Sequence, residues 1–171
     1  FVTIVDEVMT DYTAGHISQV EADHLIADLN QSLAGRDCRF FSGISYRNLM
    51  VAADASEMDL QSTPPHDIPD RPVAQHWPRG TGSERIQTVM DDARRLLAEH
   101  EVNIVRRDLG ENPATDIWLW GQGRAKTLES FASRFGVRAA AIAAVDLIRG
   151  IARTVGMDVL DAAGATGYLD T

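Results

Sequence analysis

Val137-Arg138-Ala139-Ala140-Ala141-Ile142-Ala143-Ala144-Val145, followed by Asp146 to Val155, Gly156 and Met157-Asp158-Val159-Leu160, is the stretch that decides the fold class. An apolar, strand-like run passes into a helix-length segment stopped by glycine, and a second short strand follows. That order implies a crossover between neighbouring parallel strands. Just upstream the pattern repeats, with Ile117 to Trp120 as strand and Thr127 to Phe135 as helix stopped by Gly136.

The first half reads differently. Residues 1 to 5 suggest a buried strand, and the polar run Asp11 to Gly15 turns the chain. Ser18-Gln19-Val20-Glu21 has the spacing of a capping box, after which Ala22, Leu25, Ile26, Leu29 and Leu33 recur at helical spacing up to Gly35. Cys38 to Ser42 and Asn48 to Ala52 predict a hairpin across Gly43. Residues 60 to 82 hold all but one of the six prolines and predict a long loop of the kind that carries function. Thr81-Gly82-Ser83-Glu84 predicts a second capping box, opening a helix with Ile86, Val89, Met90, Ala93 and Leu97 on one face and its end near His100. The expected fold is α/β: a mixed β-sheet flanked by helices, with an antiparallel hairpin in the first half and βαβ-type parallel strands in the second. One domain is expected over residues 1–171.

Composition bounds the partners. With 44% hydrophobic and 24% charged residues the 171-residue chain is expected to bury a core. A net charge of -9 argues against nucleic acid or an anionic membrane surface as the main partner, so an anionic ligand must be met by a local cluster. Lys126 is the single lysine among 16 basic residues, and Arg suits bidentate capture of carboxylate or phosphate. The single cysteine, Cys38, excludes an internal disulfide and fits a reducing, cytoplasmic setting. The apolar run Ala139 to Val145 is too short to span a bilayer. Opening on Phe1-Val2-Thr3-Ile4-Val5 without Met and closing on Asp170-Thr171, the chain is expected to be a piece of a longer protein.

Ile117-Trp118-Leu119-Trp120 runs into Gly121-Gln122-Gly123-Arg124-Ala125-Lys126, where glycines could turn backbone amides toward an anion beside a helix N-terminus and Arg124 and Lys126 would add charge. The same residues also read as an ordinary strand-to-helix turn. Thr63-Pro64-Pro65-His66-Asp67 is stiffened by its prolines and would present His66 and Asp67 at a fixed place. On an extended backbone the two side chains would point apart, and Asp67 also reads as a turn former. Arg47, entering a strand between Tyr46 and Leu49, needs a partner, either a ligand anion or a carboxylate. His16, just ahead of a helix, reads as an anion donor or as local packing. Arg106-Arg107 reads most simply as a solvated face, as does Asp91-Asp92. No His-Glu-x-x-His helix, cysteine pair or Gly-x-Ser-x-Gly elbow is present, so no complete catalytic set is visible.

Four motifs in order carry a resemblance. They are Thr63 to Ile68; Asn112-Pro113-Ala114 leading into Ile117 to Gly123; Ala144-Val145-Asp146-Leu147-Ile148 with Gly150-Ile151; and Gly164 to Thr171. Together they resemble the middle part of the archaeal-type, cofactor-independent (2,3-bisphosphoglycerate-independent) phosphoglycerate mutases of the alkaline phosphatase superfamily. The resemblance implies an inserted cap or substrate-binding domain, without a catalytic residue, metal ligand or cofactor of its own. It implies a parent glycolytic isomerase that interconverts 2- and 3-phosphoglycerate through a phosphoenzyme, with two divalent metal ions of the Mn or Zn type in a phosphatase-like catalytic domain of the same chain. Arg47, His66 with Asp67, Gln122, Arg124, Lys126 and His16 would then bind phosphoglycerate. Departures stand at Thr115 and Arg124, where the family commonly carries Asn and Lys. Two alternatives remain open: a binding domain that kept the cap fold without catalysis, and the cap of another phosphotransferase of the superfamily.

Overall fold

Ser18 and Glu21 form the reciprocal cap that their spacing predicts. The Glu21 amide donates to Ser18 Oγ at 3.3 Å, and Glu21 Oε2 accepts from the Ser18 amide at 2.9 Å. Helix α1 (Gln19–Ser32) starts there and buries Ala22, Leu25, Ile26 and Leu29. It ends before Gly35: a short 3₁₀ turn, Ala34–Arg36, follows, and the left-handed residue is Asp37, at φ 50°. The computed structural model describes residues 1–165, and these form two compact units, residues 1–122 and residues 123 onward.

In the first unit β1 (Thr3–Val5) and β2 (Val8–Asp11) pair antiparallel. The predicted hairpin is β3 (Cys38–Ile44) with β4 (Arg47–Ala52), in the register Cys38↔Ala52. Its bulge depends on Gly43, where an added Cβ would collide with the Arg47 carbonyl oxygen. Asn30 of α1 fixes β3 by accepting from the Phe40 amide at 2.8 Å and donating to the Phe40 carbonyl at 2.9 Å. The proline-rich segment is bounded by a third antiparallel pair, β5 (Asp59–Gln61) and β6 (Arg79–Thr81). Bonds from Asp70 N to Met9 O, Met9 N to Arg71 O and Val73 N to Glu7 O tie its middle to β2 and to the turn before it.

Helix α2 (Ser83–Glu99) buries the expected face, Ile86, Val89, Met90, Ala93 and Leu97. The second capping box does not form. Thr81 is held in β6 and the N-cap is Gly82, at φ 84°, with no side chain to cap with. A further helix, α3 (Glu101–Asp108), follows at His100, whose Nδ1 accepts from the Val102 amide. Its buried face is Val102, Asn103 and Arg106. Too few of these are apolar to announce a helix. The buried Asn103 donates to Leu97 O and Ala114 O and accepts from Ala114 N, all at 2.8 Å. It thereby sets Asn112-Pro113-Ala114 beside β1, where Thr115 Oγ1 accepts from Ile4 N and Thr115 N donates to Val2 O.

That arrangement displaces the expected strand at Ile117 to Trp120. The paired backbone lies earlier, at the Val2–Asp116 bridge, and Ile117 and Trp118 are held by burial instead. Trp118 donates its indole N–H to Thr63 O at 2.8 Å, joining the two motifs.

The second unit contains α4 (Phe131–Phe135), β7 (Ala140–Ala141), α5 (Asp146–Thr154) and β8 (Asp158–Val159). β7 and β8 pair parallel across α5, the βαβ order read from the sequence. The strand is two residues long where nine were expected, and α4 begins at Phe131 rather than Thr127. The fold is α/β, and among the described residues the paired strands form four two-stranded ladders, three antiparallel and one parallel.

Candidate functional site

Asp11, at the end of β2, organises the loop that follows. Its carboxylate accepts from the Thr13 amide and hydroxyl at 2.7 and 2.6 Å, from the Gly15 amide at 2.8 Å and from Asn112 Nδ2 at 3.0 Å. Burial raises the Asp11 pKa, yet these donors outweigh it and hold the carboxyl below its ordinary value. Arg106, 3% exposed, grips the same loop from below: Nη2 donates to Ala14 O at 3.0 Å and to Gly15 O at 3.3 Å. Its Nη1 meets Glu21 at 3.1 Å and Glu111 at 3.0 Å. The expected solvated face at Arg106 is therefore a buried clamp. Its charge is compensated by two carboxylates, and carbonyls take up its remaining donors.

So held, the loop runs through Ala14, Gly15 and His16 at φ 49°, 65° and 50° and turns Tyr12 and His16 outward, both exposed. The hairpin turn is brought to it by Ser45, whose hydroxyl donates to Ile17 O at 2.5 Å, and by Gln19, which accepts from Ser45 N at 3.0 Å. Ring contacts then run in a chain. His16 meets Tyr46 edge-on at 6.1 Å between centroids, Tyr46 meets Tyr12 at 6.5 Å, Tyr12 meets His66 at 6.3 Å, and His66 meets Trp120 at 5.2 Å. The Arg47 guanidinium lies 5.3 Å from the centre of the Tyr46 ring. Among the described residues Arg47 enters no ion pair.

Three residues that the sequence reading singled out separately, His16, Arg47 and His66, thus line one exposed surface. Asp67 joins them. A 3₁₀ turn, Pro65–Asp67, replaces the expected extended backbone, and His66 Nε2 lies 3.9 Å from Asp67 Oδ1. Gln122 accepts from Ser62 Oγ at 2.6 Å and bonds Leu60 O, which fixes it in the same segment. Arg124 and Lys126 belong to the second unit, in exposed chain that reaches no helix until Phe131, so the expected helix N-terminus is not beside them. Tyr12 and Trp120 were missed as surface residues. Trp118 is buried, whereas Trp120 is 47% exposed.

Chemically the surface offers a guanidinium, two imidazoles and two phenols, a donor set suited to a small anion. Among the described residues no group of three or more His, Cys, Asp or Glu could hold a metal ion. No helix there is long and apolar enough to cross a membrane.

Comparison with known proteins bears on this surface. Residues 1–103 match the profile of the family described as 2,3-bisphosphoglycerate-independent phosphoglycerate mutase. A protein of that name from Methanothermobacter thermautotrophicus is 45% identical over 97% of this chain and 41% of its own length. Another, from Methanosarcina mazei, is 42% identical over 99% of this chain and 43% of its own length. Among solved structures, a cofactor-independent phosphoglycerate mutase from Thermoplasma acidophilum aligns with a TM-score of 0.61 at 25% identity, over 95% of this chain and 45% of that one. The chain spans less than half the length of each of these relatives. With more than half of its residues matched by the profile, the chain belongs to the 2,3-bisphosphoglycerate-independent phosphoglycerate mutase family.

Proposed function

We propose that residues 1–122 form the substrate-binding cap of a phosphoglycerate mutase whose catalytic machinery lies in a phosphatase-like part of the protein outside this chain. The observation that carries the reading is the ring chain from His16 to Trp120 with Arg47 at its edge. Phosphoglycerate presents one carboxylate and one phosphate. Arg47 would take one of these anions by paired N–H bonds, and His16, His66 and the Tyr12 and Tyr46 hydroxyls would supply the remaining donors. Trp120 and the two phenol rings would exclude water while the phosphoryl group is carried on the enzyme. Asp67 would orient His66. The described residues do not fit a metal ion, so no step here runs through one. In this reading a divalent pair, of the Mn or Zn type, belongs to the catalytic part.

The test is interconversion of 2- and 3-phosphoglycerate with Mn2+ present, assayed in parallel on the full-length protein and on this 171-residue chain. Turnover by the full-length protein and none by the chain is the expected result. Robust turnover by the chain alone, or none by the full-length protein, would overturn the reading.

A further inference from the structure

Trp118 is fixed from behind. Its indole ring meets Trp77 at 5.4 Å between centroids, and the Arg94 guanidinium of α2 lies 5.4 Å from the centre of the Trp77 ring. Arg94 is itself held by Asp116, to which its Nε donates at 2.5 Å. From this place the indole N–H reaches the Thr63 carbonyl at 2.8 Å. A buried indole N–H ordinarily finds an acceptor, so the bond alone says nothing of function; the acceptor's place does. Thr63 shortly precedes His66, and no soft joint lies between them. Pro64 and Pro65 fix two successive φ angles, and the Asp67 and Ile68 amides donate to Pro64 O and Pro65 O. Pro65 and Ile68 are buried on either side of His66. Further along the tryptophan segment, Trp120 packs edge-on against the His66 ring at 5.2 Å, and Gln122 accepts from Ser62 Oγ and bonds Leu60 O. Alternate residues of one stretch thus hold both the backbone and the ring of the His66 segment.

We infer that Trp118 is a positioning residue for substrate binding: its N–H, by fixing Thr63, sets the His66 imidazole against Tyr12 and, through Tyr12 and Tyr46, against Arg47. The inference rests on the cap reading, which gives His66 and Arg47 to the phosphoglycerate anions. It goes beyond that reading by making a buried indole that never meets substrate part of the binding step. Removing the N–H leaves Thr63 O without its donor and frees the proline segment to shift. A displacement of about 1 Å, caused away from the bound group, is enough to spoil alignment. Packing alone needs the bulk of the indole and not its N–H.

The test is a double-mutant cycle on the full-length protein, with Trp118→Phe and His66→Ala made singly and together and folding verified by thermal unfolding. The readout is KM and kcat for 3-phosphoglycerate. Trp118→Phe should raise KM about three- to tenfold, the size of one lost neutral hydrogen bond, with kcat little changed. In the His66→Ala background it should add nothing, because the two residues act through one contact. An unchanged KM in folded Trp118→Phe, or an equal rise in both backgrounds, would overturn the inference and leave the cap reading standing. Arg47→Met separates the two claims. Wild-type KM in His66→Ala alone overturns only the inference, whereas wild-type KM in both His66→Ala and Arg47→Met overturns the cap reading with it. Should Trp118→Phe not fold, replacement of Trp118 by benzothienylalanine, which keeps the ring and lacks the N–H, enters the same cycle with the same deciding outcomes.

Discussion

Arg106 and Gly15 fit each other closely. Arg106 Nη2 donates to the Gly15 carbonyl at 3.3 Å, and a Cβ added to Gly15 would lie 2.6 Å from that nitrogen. Gly15 also sits at φ 65°, a conformation that side-chain-bearing residues adopt at a cost. Gly15→Ala should therefore destabilise the protein by about 2 kcal/mol. Arg106→Met, which strands Glu21 and the loop carbonyls, should cost about 3 kcal/mol. Urea unfolding of each variant checks both values. In the clamp account Arg106→Lys recovers part of the loss, because one ammonium can meet a carboxylate but not every carbonyl.

Acid should loosen the same loop. The Asp11 carboxyl sits below its ordinary value because the Thr13, Asn112 and Gly15 donors outweigh burial. The Glu21 carboxyl is lowered too, with burial opposing and Ser18 and Arg106 prevailing. A depressed folded-state pKa gives stability that is complete above the unfolded value, about 4, and is lost as pH falls through the folded value. Stability measured from pH 7 to pH 2 should fall below about pH 4. Asp11→Asn should be less stable at pH 7 and fall less steeply in acid. A parallel acid limb in wild type and Asp11→Asn would show that Asp11 is not responsible.

Asn103→Leu tests what sets the Asn-Pro-Ala segment. The substitution removes the partners of Ala114 N, Ala114 O and Leu97 O together, and about 2–3 kcal/mol should be lost. Hydrogen exchange at Ala114 should quicken in the variant. An unchanged rate there would contradict the proposed role.

Much of this was legible in the sequence where local chemistry decides. The Ser18–Glu21 box, the hairpin about Gly43 and the apolar face of α2 each follow from spacing within a few residues. The parts that were not legible depend on distant partners. Arg106 reads as solvated until Ala14, Glu21 and Glu111 are placed around it, and α3 conceals its helical face behind an asparagine and an arginine. Ile117 to Trp120 has strand-like composition, but Asn103 and Thr115 commit the backbone pairing to the residues before it. The site divides in the same way. His16, Arg47 and His66 could be named singly from their types, whereas Tyr12 and Trp120 join the candidate surface only when two loops and a hairpin turn meet. The shortness of β7 follows from composition as well: its alanines offer little surface with which to hold a ladder.

The most direct measurement is steady-state mutase kinetics of the full-length protein carrying Arg47→Met or His66→Ala, with folding verified by thermal unfolding. The account predicts that Arg47→Met raises KM for 3-phosphoglycerate by about tenfold or more, as loss of a charge-assisted bond requires, and that Arg47→Lys recovers part of it. His66→Ala should weaken the same step. Folded variants that keep the wild-type KM and kcat would contradict the claim that this surface binds the substrate.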